Sequence, residues 1–92
     1  MAKATIHRTH PEILQRLKRA HGHLSTTLTM LEEERPCLDL AQQLHAVERA
    51  ISAAKKALIH DHIDHCLEQA GNGSSGAQRS ALDEFKRISK YL

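Results

Sequence analysis

Apolar residues recur along most of this chain at three- and four-residue intervals, a helical pattern in three stretches. Ile13, Leu17, Ala20, Leu24, Leu28 and Leu31 share one arc at 100° per residue and predict a first helix with a single core face. Thr9, Pro11 and Glu12 form a capping-box pattern that marks its start. Pro36 has no amide hydrogen and biases Arg35 away from helical geometry, so the helix ends near Glu34. A second pattern opens at Cys37 and carries Leu40, Leu44, Val47, Ile51, Ala54, Leu58, Ile63 and Leu67, with no glycine or proline before Gly71. Unbroken, that helix is about 50 Å long at 1.5 Å per residue. The segment 71–76 reads as a Gly/Ser linker, and Leu82, Phe85, Ile88 and Leu92 beyond it predict a short third helix.

The predicted fold class is therefore all-α: two long antiparallel helices joined at Arg35 and Pro36, plus a short C-terminal helix. Two long helices leave an apolar stripe that the short third one does not cover. The expected state is a homo-oligomer, a dimer or a dimer of dimers built by helix packing. At 92 residues the chain supports one core, so 1–92 is expected to be a single domain, with a flexible arm over 1–8.

Composition narrows the function classes. With 40% hydrophobic and 26% charged residues the chain is an ordinary folded one. No apolar run approaches the roughly 18 residues of a membrane span, and Met1 to Thr9 lacks the apolar centre of a secretory signal, so no membrane partner and a cytoplasmic location are expected. Phe85 and Tyr91 are the only aromatic residues, which excludes a ring platform for single-stranded nucleic acid. Phosphate loops, nucleophile elbows and His-Glu-x-x-His motifs are missing too, so neither an enzyme nor a small-molecule substrate is expected.

Eight histidines and two cysteines stand out in so short a chain. In a reducing compartment Cys37 and Cys66 point to metal binding or thiol chemistry rather than a disulfide. His62 and Cys66, four residues apart, project from one side of the second helix. Cys37 lies roughly 43 Å away along the same helix if it is straight, so one chain cannot unite the three. An antiparallel second copy brings Cys37 beside His62 and Cys66 of its partner, making a site only the oligomer possesses. Thiolate favours Cu(I) or Zn(II), and imidazole tolerates Ni(II) and Co(II). His7, His10 and His65 are possible extra ligands. The same residues also fit a plainer role, a small buried thiol and hydrogen-bonded or solvated histidines.

The net charge is only +2, but thirteen basic residues allow a local basic face. Arg16, Arg19 and His23 cluster on the first helix, and Arg49, Lys56 and His60 line the second opposite its core stripe. Such rows are also commonly just solvated faces. No helix-turn-helix pattern occurs, because the turn at Pro36 joins two long helices.

The stretch from Arg16 through Leu17, Lys18, Arg19, Ala20, His21, Gly22 and His23 to Leu24, and Cys37 followed by Asp39, Ala41, Gln42, Gln43, Leu44 and Ala46, resemble the copper-sensitive operon repressor and nickel/cobalt repressor group, CsoR/RcnR. That resemblance covers most of the chain. In the family a cysteine opening the second helix pairs with a histidine 25 residues on and a thiol or imidazole 29 residues on, positions matched by Cys37, His62 and Cys66. The resemblance implies ligands that bridge protomers. Copper sensors of the group use a Cys, His, Cys set, and nickel and cobalt sensors add an imidazole near the N-terminus, where His7 and His10 stand. It also implies an apo tetramer that represses transcription on double-stranded operator DNA and lets go when its effector binds. Arg16 resembles a family arginine needed for DNA binding, and Arg49, Lys55 and Lys56 stand where second-helix basic residues lie.

The leading expectation is a metal-responsive repressor released from DNA by Cu(I) or Ni(II)/Co(II) at an inter-subunit Cys/His site. The rivals are a persulfide or aldehyde sensor of the same fold, and a metal-buffering protein with no DNA role.

Overall fold

The computed structural model describes residues 9–72 and 75–92. The predicted arm over 1–8, with His7, and the linker positions Gly73 and Ser74 lie outside the described residues. The chain folds into α1 (His10–Glu32), α2 (Cys37–Asn72) and α3 (Ser75–Ile88), followed by a 3-10 turn over Ser89–Tyr91. It is all-α, and among the described residues no helix is long and apolar enough to cross a membrane.

The start of α1 lies where the sequence places it, but the capping bond is not made. Thr9 Oγ1 is buried with no hydrogen-bond partner among the described residues, and Glu12 pairs instead with Arg16, Oε1 to Nη2 at 3.0 Å. The end of α1 is better sealed. Arg35 N–H donates to Met30 O at 3.1 Å and Glu34 N–H to Leu31 O at 3.1 Å, the paired bonds of a Schellman cap. Glu34 supplies the left-handed residue, with φ 56°. Pro36 then starts α2 by accepting from Leu40 N–H at 3.1 Å, a role that needs no amide hydrogen. Helix also takes in Gly71, Asn72, Ser75 and Gly76, so the 71–76 linker is shorter than predicted. Glycine costs a helix only about 1 kcal/mol relative to alanine, a preference the flanking turns outweigh.

The described residues form two compact units, Pro11–Ala54 and Lys55–Leu92, the latter grouped with residues 9–10. In the first, α1 and the opening half of α2 form an antiparallel hairpin. His23 of α1 and Gln43 of α2 are hydrogen-bonded to each other through Nε2 and Oε1. Ile13, Ala20 and Thr27, seven residues apart, are buried along α1, as are Val47 and Ala54 on α2. The Thr27 hydroxyl donates to His23 O at 2.9 Å, which settles its burial. In the second unit, Ile59, Cys66 and Ala81 are buried.

The predicted core stripes need correction. Leu17, Leu28 and Leu31 of α1, Leu44, Ile51, Leu58 and Leu67 of α2, and Leu82 and Leu92 are exposed. Of the predicted stripes, Ile13, Ala20, Val47 and Ala54 are buried as expected, with the small side chains of Ala20 and Ala54 letting backbones approach closely. Periodicity marks a wide apolar arc, and one chain buries only part of it.

Candidate metal centre

The second unit joins the closing half of α2 to α3. One helical turn separates His62 and Cys66, which sets both on one side of α2. Glu84 on α3 reaches the same place: its Oε2 lies 2.9 Å from His62 Nε2. One donor atom from each of His62, Cys66 and Glu84 lies within 4.8 Å of the other two. Cys66 is buried, His62 half-buried and Glu84 exposed, so the cluster runs from interior to surface.

The environment of each group decides its chemistry. Burial pushes the Cys66 thiol above its ordinary 9.0, and the nearby Glu84 carboxylate pushes the same way. The thiol is therefore held neutral until a cation offsets the charge of the thiolate. The carboxylate of Glu84 fixes the His62 ring, as outer partners of metal-bound histidines do. A buried thiol, an imidazole one turn away and an adjacent carboxylate suit a thiophilic or borderline ion.

The other proposed ligands are distributed differently. His65 is half-buried, its ring centroid 6.2 Å from that of His62, and it is not one of the three clustered donors. Cys37 is exposed as the first residue of α2, in the first unit, and His10 is exposed as the first of α1. Glu84 was missed by sequence reasoning. Its signal was present, because residues 62 and 84 stand equally far from Gly73 along the chain, as residues that meet across an antiparallel hairpin do.

In the first unit Arg16, Arg19 and His23 of α1 line a cavity of about 330 Å³ together with Glu12, Ala20, Ala50 and Ala53. Arg49 is exposed outside that lining, and Lys55 and Lys56 are exposed in the second unit. His23, also missed as a structural partner, is held by Gln43.

Comparison with known proteins follows the same lines. The metal-sensitive transcriptional repressor family matches residues 9–90. A copper-sensing transcriptional repressor CsoR of Mycobacterium ulcerans is 37% identical over 78 residues, 85% of this chain and 65% of that protein, so the chain spans just under two thirds of that relative's length. CsoR of Bacillus subtilis is 35% identical over 81 residues, 86% of this chain and 80% of its own. The copper-sensing repressor RicR of Mycobacterium tuberculosis is 33% identical over 79 residues, 85% of this chain and 82% of its own. No solved structure matches the chain.

Proposed function

This chain belongs to the family of metal-sensitive transcriptional repressors, and on that footing we propose that it binds operator DNA when metal-free and releases it on binding Cu(I). The observation that carries the reading is the buried Cys66 thiol with His62 beside it on α2. The family is one of repressors, not enzymes.

Cys66 and His62 of one protomer and Cys37 of a second hold the ion. Cu(I) supplies a soft cation that prefers thiolate and imidazole over carboxylate. Cys66 gives up its proton on binding, and Glu84 holds His62 in orientation. The exposed position of Cys37 at the start of α2 supports a role between chains. Exposed leucines on α1 and α2 supply the apolar area for a homodimer or homotetramer. The protein acts in the cytoplasm as one metal-sensing, DNA-binding domain.

DNA is held through phosphate contacts from Arg16 and Arg19 at the first-unit cavity, with Arg49, Lys55 and Lys56 adding to the basic surface. Release is a population shift: the ion stabilises the arrangement with low DNA affinity, and about 3 kcal/mol of coupling weakens binding about 150-fold. An anaerobic Cu(I) titration of the reduced protein against a competing chelator tests the site. Tight binding of one ion per protomer, lost in Cys37→Ala, is the expected result. Tight Ni(II) or Co(II) binding that depends on His7, His10 or His65 would replace Cu(I) with those ions. Failure of every ion to bind tightly would sink the metal reading and leave Cys37 as a reactive thiol.

A further inference from the structure

The cluster in the second unit contains a donor that a soft-ion site does not use. Glu84 is an oxygen ligand within 4.8 Å of both His62 and Cys66 donor atoms, all three from one protomer. We propose that His62, Cys66 and Glu84 by themselves bind a divalent borderline ion, Zn(II), within one protomer and without Cys37. The proposal deepens the copper reading and rests on it for the competing role of Cys37.

Charge balance separates the two occupancies. Cu(I) with two thiolates and a neutral imidazole already carries net negative charge, so adding a carboxylate is unfavourable in a partly buried place. Zn(II) with one thiolate, one carboxylate and one imidazole is neutral. A tetrahedral ion with bonds of about 2.0 to 2.3 Å brings its ligands about 3.3 to 3.7 Å apart. No donor pair is more than 4.8 Å apart, so the widest closes by at most about 1 Å, while His62 Nε2 and Glu84 Oε2, 2.9 Å apart, open by about 0.5 Å, both within the swing of the Glu84 side-chain torsions.

A second observation is open space beside two of the three donors, where a water ligand fits. A cavity of about 330 Å³ lies against His62 and Glu84, lined further by Arg87, Ile88 and Tyr91. Water at that point completes the tetrahedron, as in zinc sites with three protein ligands. The Arg87 guanidinium is engaged by Asp83 at 2.8 Å, which limits its repulsion of a cation. Glu84 thus acts as the selector between ions: ligand for the divalent one, orienting partner of His62 for the monovalent one.

The test uses the reduced, metal-free full chain, titrated with Zn(II) against a chromophoric chelator and with Co(II) as an optical probe. Cys37→Ser, Cys66→Ser and Glu84→Gln are compared, with parallel Cu(I) titrations and helix content by circular dichroism as the folding control. Cys37 and Glu84 are both exposed, so their substitutions leave the core intact. Expected is a Zn(II) affinity within about threefold of wild type in Cys37→Ser, and in Glu84→Gln a Zn(II) loss at least about tenfold larger than the Cu(I) loss, because the variant removes a ligand from Zn(II) and only an orienting partner of His62 from Cu(I). The Co(II) thiolate charge-transfer band should persist in Cys37→Ser and vanish in Cys66→Ser. Equal Zn(II) losses in Cys37→Ser and Cys66→Ser would overturn the proposal. So would equal losses of Zn(II) and Cu(I) in Glu84→Gln, which would make Glu84 an orienting group only. Zn(II) binding that needs Glu84 supports the proposal even when Cu(I) binding survives Cys37→Ser, a result that sinks the copper reading alone.

Discussion

Each of the two units is a helical hairpin closed by a histidine, and the partner of that histidine sets the two apart. In the first unit His23 meets the amide of Gln43; in the second His62 meets the carboxylate of Glu84. An amide satisfies an imidazole and brings no charge, so the first contact is a clamp. A carboxylate adds charge and raises the affinity of the ring for a metal, and the second contact has a buried thiol beside it. The same bond serves packing in one hairpin and ligand chemistry in the other.

The strongest way to break the comparison is Cys66→Ala. It should weaken Cu(I) binding by more than about 100-fold, the upper end of what even outer partners of a metal cost. Metal-free DNA binding, assigned to Arg16, Arg19, Arg49, Lys55 and Lys56, should stay unchanged in a duplex binding assay. The same thiol gives a pH signature. Its native pKa is raised above 9.0, so the neutral thiol favours the fold. That contribution is complete below pH 9 and is lost as pH rises through the raised native value. Urea midpoints measured from pH 8 upward should therefore fall more in wild type than in Cys66→Ala.

Arg16→Ala reverses the test. It should weaken DNA binding about tenfold and reduce the salt dependence by about one phosphate contact, with Cu(I) affinity intact. Loss of copper affinity in this variant would dissolve the division of labour.

Gln43→Leu sharpens the contrast between clamp and ligand. Leaving His23 without its partner should cost about 1 to 2 kcal/mol of stability in denaturant unfolding and nothing in metal affinity. The smallest effect is at the α1 cap. Glu34 holds a left-handed conformation that suits glycine, so Glu34→Gly should raise stability by about 1 kcal/mol and leave both binding activities alone.

Much of this was legible in the sequence, for reasons that also explain the rest. Pro36 has no amide to donate, so the α1 end and α2 start were readable from one residue. His62 and Cys66 were readable because four residues on a helix is a fixed geometry. Glu84 was not read, since pairing α3 with α2 requires the turn register, and six Gly, Asn and Ser positions look like linker before they are seen to be mostly helical. The core was half legible. Periodicity finds Leu17, Leu44 and Ile51, but which part of an apolar arc is buried within a chain depends on close approach at Ala20 and Ala54. The capping box failed because Glu12 has a nearer cation in Arg16.

The most direct test of the central claim measures both units at once. Fluorescence anisotropy of a labelled duplex from the promoter upstream of the protein's own coding sequence is followed as Cu(I) is added to the bound repressor, in wild type and in Cys66→Ala. The account predicts that one Cu(I) per protomer weakens wild-type binding by about 10- to 150-fold and leaves the variant bound. A wild-type complex indifferent to Cu(I), or a variant released as readily as wild type, would contradict it.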